Sequence, residues 1–158
     1  MVISHHTELD AELCVGSCPG SVEDVLYLDR SLGVRAVVSL QSDEDLRVRG
    51  LDWNVLWRLY LSHGISASRV PIQDFEPADL ARHLDRGVEA VRKACDAGRR
   101  VYVHCNAGLN RSPSVVIAYL VSARSWTVAE ATAWVKERHD CVPYPDVLNA
   151  WASGHGFS

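Results

Sequence analysis

Short β-branched runs and longer stretches with apolar residues at helical spacing alternate along this chain. Leu13 to Val15 is a brief apolar run closed by Gly16. Ser21 is placed to cap a helix that carries Val22, Val25, Leu26 and Leu28 and that Gly33 ends. Val34 to Leu40 (VRAVVSL) predicts a buried strand, and Ser42 with Asp43 a polar turn, followed by a helix around Leu51 to Leu61. Ser68 to Ile72 predicts another strand, leading into the loop Gln73 to Pro77. From Asp79, the positions Leu80, Leu84, Val88, Val91 and Cys95 form one helical stripe, stopped by Gly98. Arg100 to His104 (RVYVH) is a strand that delivers the chain into Cys105. Helices then follow from Arg111 to about Arg124, from Val128 to Arg138, and from Asp146. Strands separated by helices imply an α/β fold, a central mixed and mostly parallel sheet flanked by helices.

Composition narrows the picture. A chain of 158 residues with a 47% hydrophobic and 23% charged fraction suits one globular domain, residues 1–158, with a single core. No apolar run is long enough to span a membrane, and MVISHHTELD lacks the basic and apolar parts of a secretion signal, so a cytoplasmic protein without membrane partners is expected. A net charge of -4 argues against a nucleic-acid partner, although a small anion site depends on local groups instead. The five cysteines are irregularly spaced, which favours neither a disulfide framework nor a zinc site. No metal or cofactor is expected, and His5 and His6 read as a solvated terminus.

The candidate chemistry lies between the predicted strand and the helix after it, in His104-Cys105-Asn106-Ala107-Gly108-Leu109-Asn110-Arg111-Ser112. A loop at that junction can wrap a tetrahedral anion with successive backbone N–H groups and the positive end of the helix dipole. Residues Asn106, Ala107, Gly108, Leu109 and Asn110 would form this cradle, with Gly108 permitting the positive φ of a tight curl. Arg111 adds a planar fork of donors for two oxygens, and Pro113 fits the first helical turn. Thiols at helix N-termini and beside cations lose their proton more readily than free cysteine, so Cys105 is expected as a nucleophilic thiolate. Ser112 can donate a hydrogen bond to that sulfur, and His104 is placed to shape the loop. A core thiol is the commoner fate of a lone cysteine. The strand-end placement, with Gly108 and Arg111 at their spacings, argues against it here.

His-Cys, five residues, then Arg-Ser resembles the signature of the protein tyrosine phosphatase superfamily, and the short chain resembles its dual-specificity branch. The resemblance implies a cysteine-dependent phosphatase working through a phosphocysteine intermediate, with Cys105, Arg111 and Ser112 in the catalytic loop. Family members also carry an aspartate general acid on a loop upstream of the cysteine. That position matches Asp74 in VPIQDFEPADL, while Asp79 is read as a helix-capping carboxylate. VGSCPGSVEDVLYL and VVSLQSDEDL, with Cys105 to Leu109, further resemble the glucan phosphatases, laforin and the plant starch-excess type. Asn110 departs from their loop pattern by replacing its last glycine, and Val142 stands where the starch-excess enzymes have an aromatic. Phe75 matches an aromatic that lines their glucan channel, which makes it the candidate substrate-binding residue. Trp53, Trp57 and Tyr60, at helical spacing, are read either as a platform for sugar rings or as core. The expected partner is therefore a phosphorylated glucan or, in the alternative reading, a phosphoprotein. A pseudophosphatase that only binds phosphate is disfavoured by intact Cys105, Asp74, Arg111 and Ser112.

Overall fold

Five strands form one sheet in the order β1-β2-β5-β3-β4: β1 (His6–Glu8), β2 (Leu13–Gly16), β3 (Ala36–Ser39), β4 (Ser66–Arg69) and β5 (Val101–His104). The structure is a computed structural model that describes residues 3–158; Met1 and Val2, which begin the stretch read above for a secretion signal, lie outside it. Only β1 is antiparallel to its neighbour, so the sheet is mixed and mostly parallel, as the alternation of strand and helix predicts. Among the described residues the α-helices are α1 (Val22–Leu26), which runs on into a π-helical segment at Tyr27–Ser31, α2 (Asp43–Val48), α3 (Trp53–Ser62), α4 (Pro77–Asp96), α5 (Arg111–Arg124), α6 (Val128–Arg138) and α7 (Pro145–Gly154). None among the described residues is long and apolar enough to cross a membrane.

Alternation along the strands splits the core into two layers. Val101 and Val103 of β5 point into the layer built with Val38, Leu84 and Val116, whereas Tyr102 points the other way, onto Leu28, Leu56 and Tyr60. Central β5 is therefore fully buried, its His104 included, as a strand flanked by helices on both faces should be. The C-terminal ends of β2, β3 and β5 lie side by side, with Gly16 and Ser39 both in register with His104. This edge of an open α/β sheet is where ligands bind, because the chain leaves it in loops free to carry chemistry.

Four boundaries differ from the pattern-based reading. Strand β1 was not predicted; its three residues are held by pairing with β2 more than by any β-like run of their own. Residues 43–48 form a helix instead of a turn, capped reciprocally by Ser42 and Asp45. Strand β4 begins at Ser66 and ends at Arg69, because Pro71 has no N–H for the ladder. The backbone still reaches the neighbouring segment through Val70 N–H to Ser39 O (2.9 Å) and Ile72 N–H to Leu40 O (3.1 Å). Helix α4 starts at Pro77 with Glu76 at its N-cap, placing Asp79 inside the first turn.

Candidate active site

Cys105 follows β5 directly and is 3% exposed, at the bottom of a loop that ends where α5 begins. The carbonyls of that loop turn away from its concave side. Asn106 O accepts from Cys18 N–H at 3.0 Å, Leu109 O from Val142 N–H at 2.6 Å, and Gly108 O from His139 Nε2 at 2.7 Å. Among the described residues no acceptor takes the N–H groups of 106–111. Outward carbonyls and unclaimed amides at the start of a 14-residue helix make an anion-binding nest with a favourable dipole. Gly108 adopts φ +75°, and a Cβ there would lie 2.5 Å from the carbonyl carbon of Gly16. Two glycines thus let the loop close against the end of β2. Ser112 Oγ sits 3.2 Å from Cys105 Sγ and 3.4 Å from Gly16 O, so its single proton has two acceptors within reach. His104 is buried and donates from Nδ1 to Cys105 O at 3.0 Å. Burial pushes its pKa down to about 4, against the pull of that hydrogen bond, so it shapes the loop as a neutral ring.

Arg111, the largest fully buried side chain, reaches back under the loop. Its Nη1 donates to Asp45 Oδ2 at 2.6 Å and to Ile72 O at 2.8 Å, and its Nη2 lies 3.1 Å from Asp74 Oδ2. Asp74 is brought to the site from the loop after Ile72, with its carboxylate one guanidinium away from the cradle. Phe75, next to it, has φ +59° and is 82% exposed. A bulky non-glycine residue in the left-handed region is strained, and here no core contact offsets the strain. Asp79 is structural, but not as the N-cap it was expected to be. From the first turn of α4 its Oδ2 accepts Gln73 N–H at 2.8 Å and so pins the loop that carries Asp74.

Several contributors to the site were not singled out in the sequence. Asp45 accepts from Arg111, from Ser42 N–H (2.9 Å) and from Asn106 Nδ2 (2.8 Å). Burial opposes its ionisation, but these donors outweigh burial and hold its carboxyl below the usual range. The Ser42-to-Asp45 spacing of a capping box was the available signal. Gln41 Nε2 donates to Asn106 Oδ1 at 2.9 Å. His139, buried before α7, gives its Nε2 proton to Gly108 O and accepts the Thr7 hydroxyl at Nδ1 (2.7 Å). His5 stacks on it with ring centroids 4.3 Å apart, so His5 is packed structure and not a solvated terminus. His6 likewise meets Tyr27 Oη at 2.9 Å. Asn110 Nδ2 donates to Val142 O at 2.6 Å, which joins the two positions that depart from the glucan-phosphatase pattern. The aromatic trio lies along one side of α3, but its members differ in burial. Tyr60 is core at 1% exposure, Trp57 is 41% exposed, and Trp53 is partly covered, with the Arg69 guanidinium 5.8 Å from its ring.

Comparison with known proteins agrees with this geometry. A family model described as "Dual specificity phosphatase, catalytic domain" matches residues 24–147. A phosphoglucan phosphatase, DSP4, amyloplastic, from Castanea sativa is 35% identical over 144 residues, covering 90% of this chain and 38% of that protein. Laforin from Mus musculus is 26% identical over 148 residues, covering 87% and 45%. The chain thus spans less than half the length of these two curated relatives. Among solved structures, PTPMT1 in complex with PI(5)P superposes with a TM-score of 0.79 at 23% identity, covering 97% of this chain and 96% of that one, which establishes a shared fold.

Proposed function

The chain belongs to the dual-specificity phosphatase family, and from that premise we propose that it hydrolyses phosphomonoesters through a phosphocysteine intermediate, with phosphorylated glucans as its substrates. The observation that carries the chemistry is the loop from Cys105 to Arg111, with its amides unclaimed and its arginine buried beneath it. Cys105 attacks phosphorus as a thiolate; the S–P bond forms as the P–O ester bond breaks. Asp74 gives its proton to the leaving oxygen, which an alkoxide leaving group needs. In the second step Asp74, now a carboxylate, takes a proton from water as the water attacks phosphorus. The S–P bond breaks, and Ser112 donates its hydrogen bond to the departing sulfur. The amides of Asn106, Ala107, Gly108, Leu109 and Asn110, with Arg111, bind the phosphoryl oxygens and stabilise their charge throughout.

The substrate class is supported by Phe75 and by the names of the relatives. An aromatic ring held outward beside the general acid offers a face for a sugar, since stacking needs an exposed ring near the scissile bond. The Castanea relative, matched over 90% of this chain, is itself named a phosphoglucan phosphatase. Phosphate release from phosphorylated amylopectin, a phosphotyrosyl peptide and p-nitrophenyl phosphate tests both parts. Cys105→Ser should abolish release from all three while keeping vanadate binding, because the cradle survives. Phe75→Ala should lower release from amylopectin about tenfold, the scale of one stacked ring, and leave p-nitrophenyl phosphate nearly unchanged. Turnover by Cys105→Ser would refute the covalent route. Good hydrolysis of the peptide with none of amylopectin would replace the glucan substrate by a phosphoprotein.

A further inference from the structure

The guanidinium of Arg111 is divided between two edges. Nη1 is anchored by Asp45 at 2.6 Å and Ile72 O at 2.8 Å. On the opposite edge, Nη2 meets Asp74 at 3.1 Å, while Nε is buried without a hydrogen-bond partner among the described residues. Nε and Nη2 are the pair of donors that can take two oxygens of one phosphate. A planar fork binds in this way only if its rotation is fixed, and the anchor on Nη1 fixes it.

Asp45 does more here than cap a helix. A capping box at the start of α2 requires one acceptor for Ser42 N–H, and Asp45 Oδ2 supplies it at 2.9 Å. The same oxygen takes Nη1 of Arg111, and Oδ1 takes Asn106 Nδ2 at 2.8 Å, one residue after Cys105. One carboxylate therefore ties the end of β3, the residue beside the nucleophile and the phosphate-binding arginine. Asp45 is 8% exposed, and its three donors account for both oxygens. We propose that Asp45 is a positioning residue of the anion site, which turns the Nε–Nη2 edge of Arg111 toward the cradle and sets Asn106 beside Cys105. The proposal rests on reading Arg111 as the phosphate ligand.

Asp45→Asn separates the two roles. Asparagine keeps an oxygen for Ser42 N–H, but it removes the negative charge that holds Nη1 of Arg111 and puts a donating amide where Oδ1 accepts Asn106 Nδ2. In the full chain this variant should lower kcat/KM for p-nitrophenyl phosphate about a hundredfold, as expected for a misaimed ligand, and should raise the inhibition constant of vanadate about tenfold. Ser42→Ala, which removes the hydroxyl from the capping box and leaves Asp45 with Arg111, should leave the vanadate constant unchanged. In an Arg111→Lys background, Asp45→Asn should cost less than about threefold more, because its effect runs through the arginine. If Asp45→Asn does not fold, Asp45→Glu carries the same test, with the charge kept and the carboxylate displaced by one methylene. An unchanged vanadate constant, an equal effect of Ser42→Ala, or full additivity with Arg111→Lys overturns the positioning role while the phosphatase reading stands. A native chain that neither turns over p-nitrophenyl phosphate nor binds vanadate overturns both.

Discussion

Asp74 and Asp79 lie five positions apart on one loop and helix start, and the structure gives them different partners. Asp74 faces Arg111 at 3.1 Å, whereas Asp79 holds the Gln73 amide at 2.8 Å. A proton donor matters in proportion to how poor the leaving group is, but a loop brace matters equally for every substrate. Asp74→Asn should therefore slow hydrolysis of an alkyl phosphate by about 10² to 10⁴ and that of p-nitrophenyl phosphate far less. Asp79→Asn should lower both by a similar factor. Steady-state rates on the two substrates check this, and equal losses in Asp74→Asn would move the general acid elsewhere. At this scale the sequence singled out Cys105, Arg111 and Ser112 by residue type and spacing, and the structure places all three where β5 passes into α5. The sequence was silent on His139, whose role depends on a carbonyl 31 positions away.

At the scale of elements, the site is a junction of three loops at one edge of the sheet. The turn from β5 into α5 supplies the cradle, the segment before α2 braces it, and the loop before α4 brings Asp74. Gly108 is where the first of these meets β2, at φ +75° with Gly16 2.5 Å from any Cβ. Gly108→Ala therefore faces both a left-handed backbone penalty of about 1–2 kcal/mol and a backbone clash that only movement of the loop can relieve. It should lower Tm by about 4 °C or more and reduce kcat/KM for p-nitrophenyl phosphate at least tenfold, as a displaced cradle would. Thermal unfolding and steady-state kinetics measure both, and a variant equal to the native chain would mean that the curl does not need this approach. The helix over 43–48 shows why some elements escaped the sequence. Its six residues carry only one turn and a half of pattern, and the polar run SDED reads equally as a turn. What makes it a helix is a cap whose carboxylate is also bound by groups distant in sequence.

For the whole molecule, buried histidine links stability to pH. His104 is fully enclosed with its pKa pushed down to about 4, from an ordinary value of 6.5. The unfolded chain therefore binds a proton at this residue that the folded chain refuses, and stability rises with pH between those limits. The contribution is complete above about pH 6.5 and is lost as pH falls toward 4, a difference of about 3 kcal/mol. His139, also lowered chiefly by burial, adds in the same direction. Urea unfolding at pH 7, 5.5 and 4 should show this loss, and His104→Asn should reduce it; a parallel pH dependence in both proteins would assign the loss to other groups. The sequence by itself determined the α/β alternation, the buried β5, the helix that follows it and the Cys105–Arg111 loop. These rest on local periodicity, on glycine at a tight curl and on residue types that phosphate chemistry requires at fixed spacing. Only the tertiary structure decided that Tyr60 is core while Trp57 is exposed, since both positions fit one helical stripe and burial depends on what packs above it. It also decided that Phe75 stands clear of the core, and that Asp45 and His139 reach the loop from 61 and 31 residues away. Contacts at that separation leave no periodic trace, because they are set by how the strands align their ends and not by any neighbour in the chain.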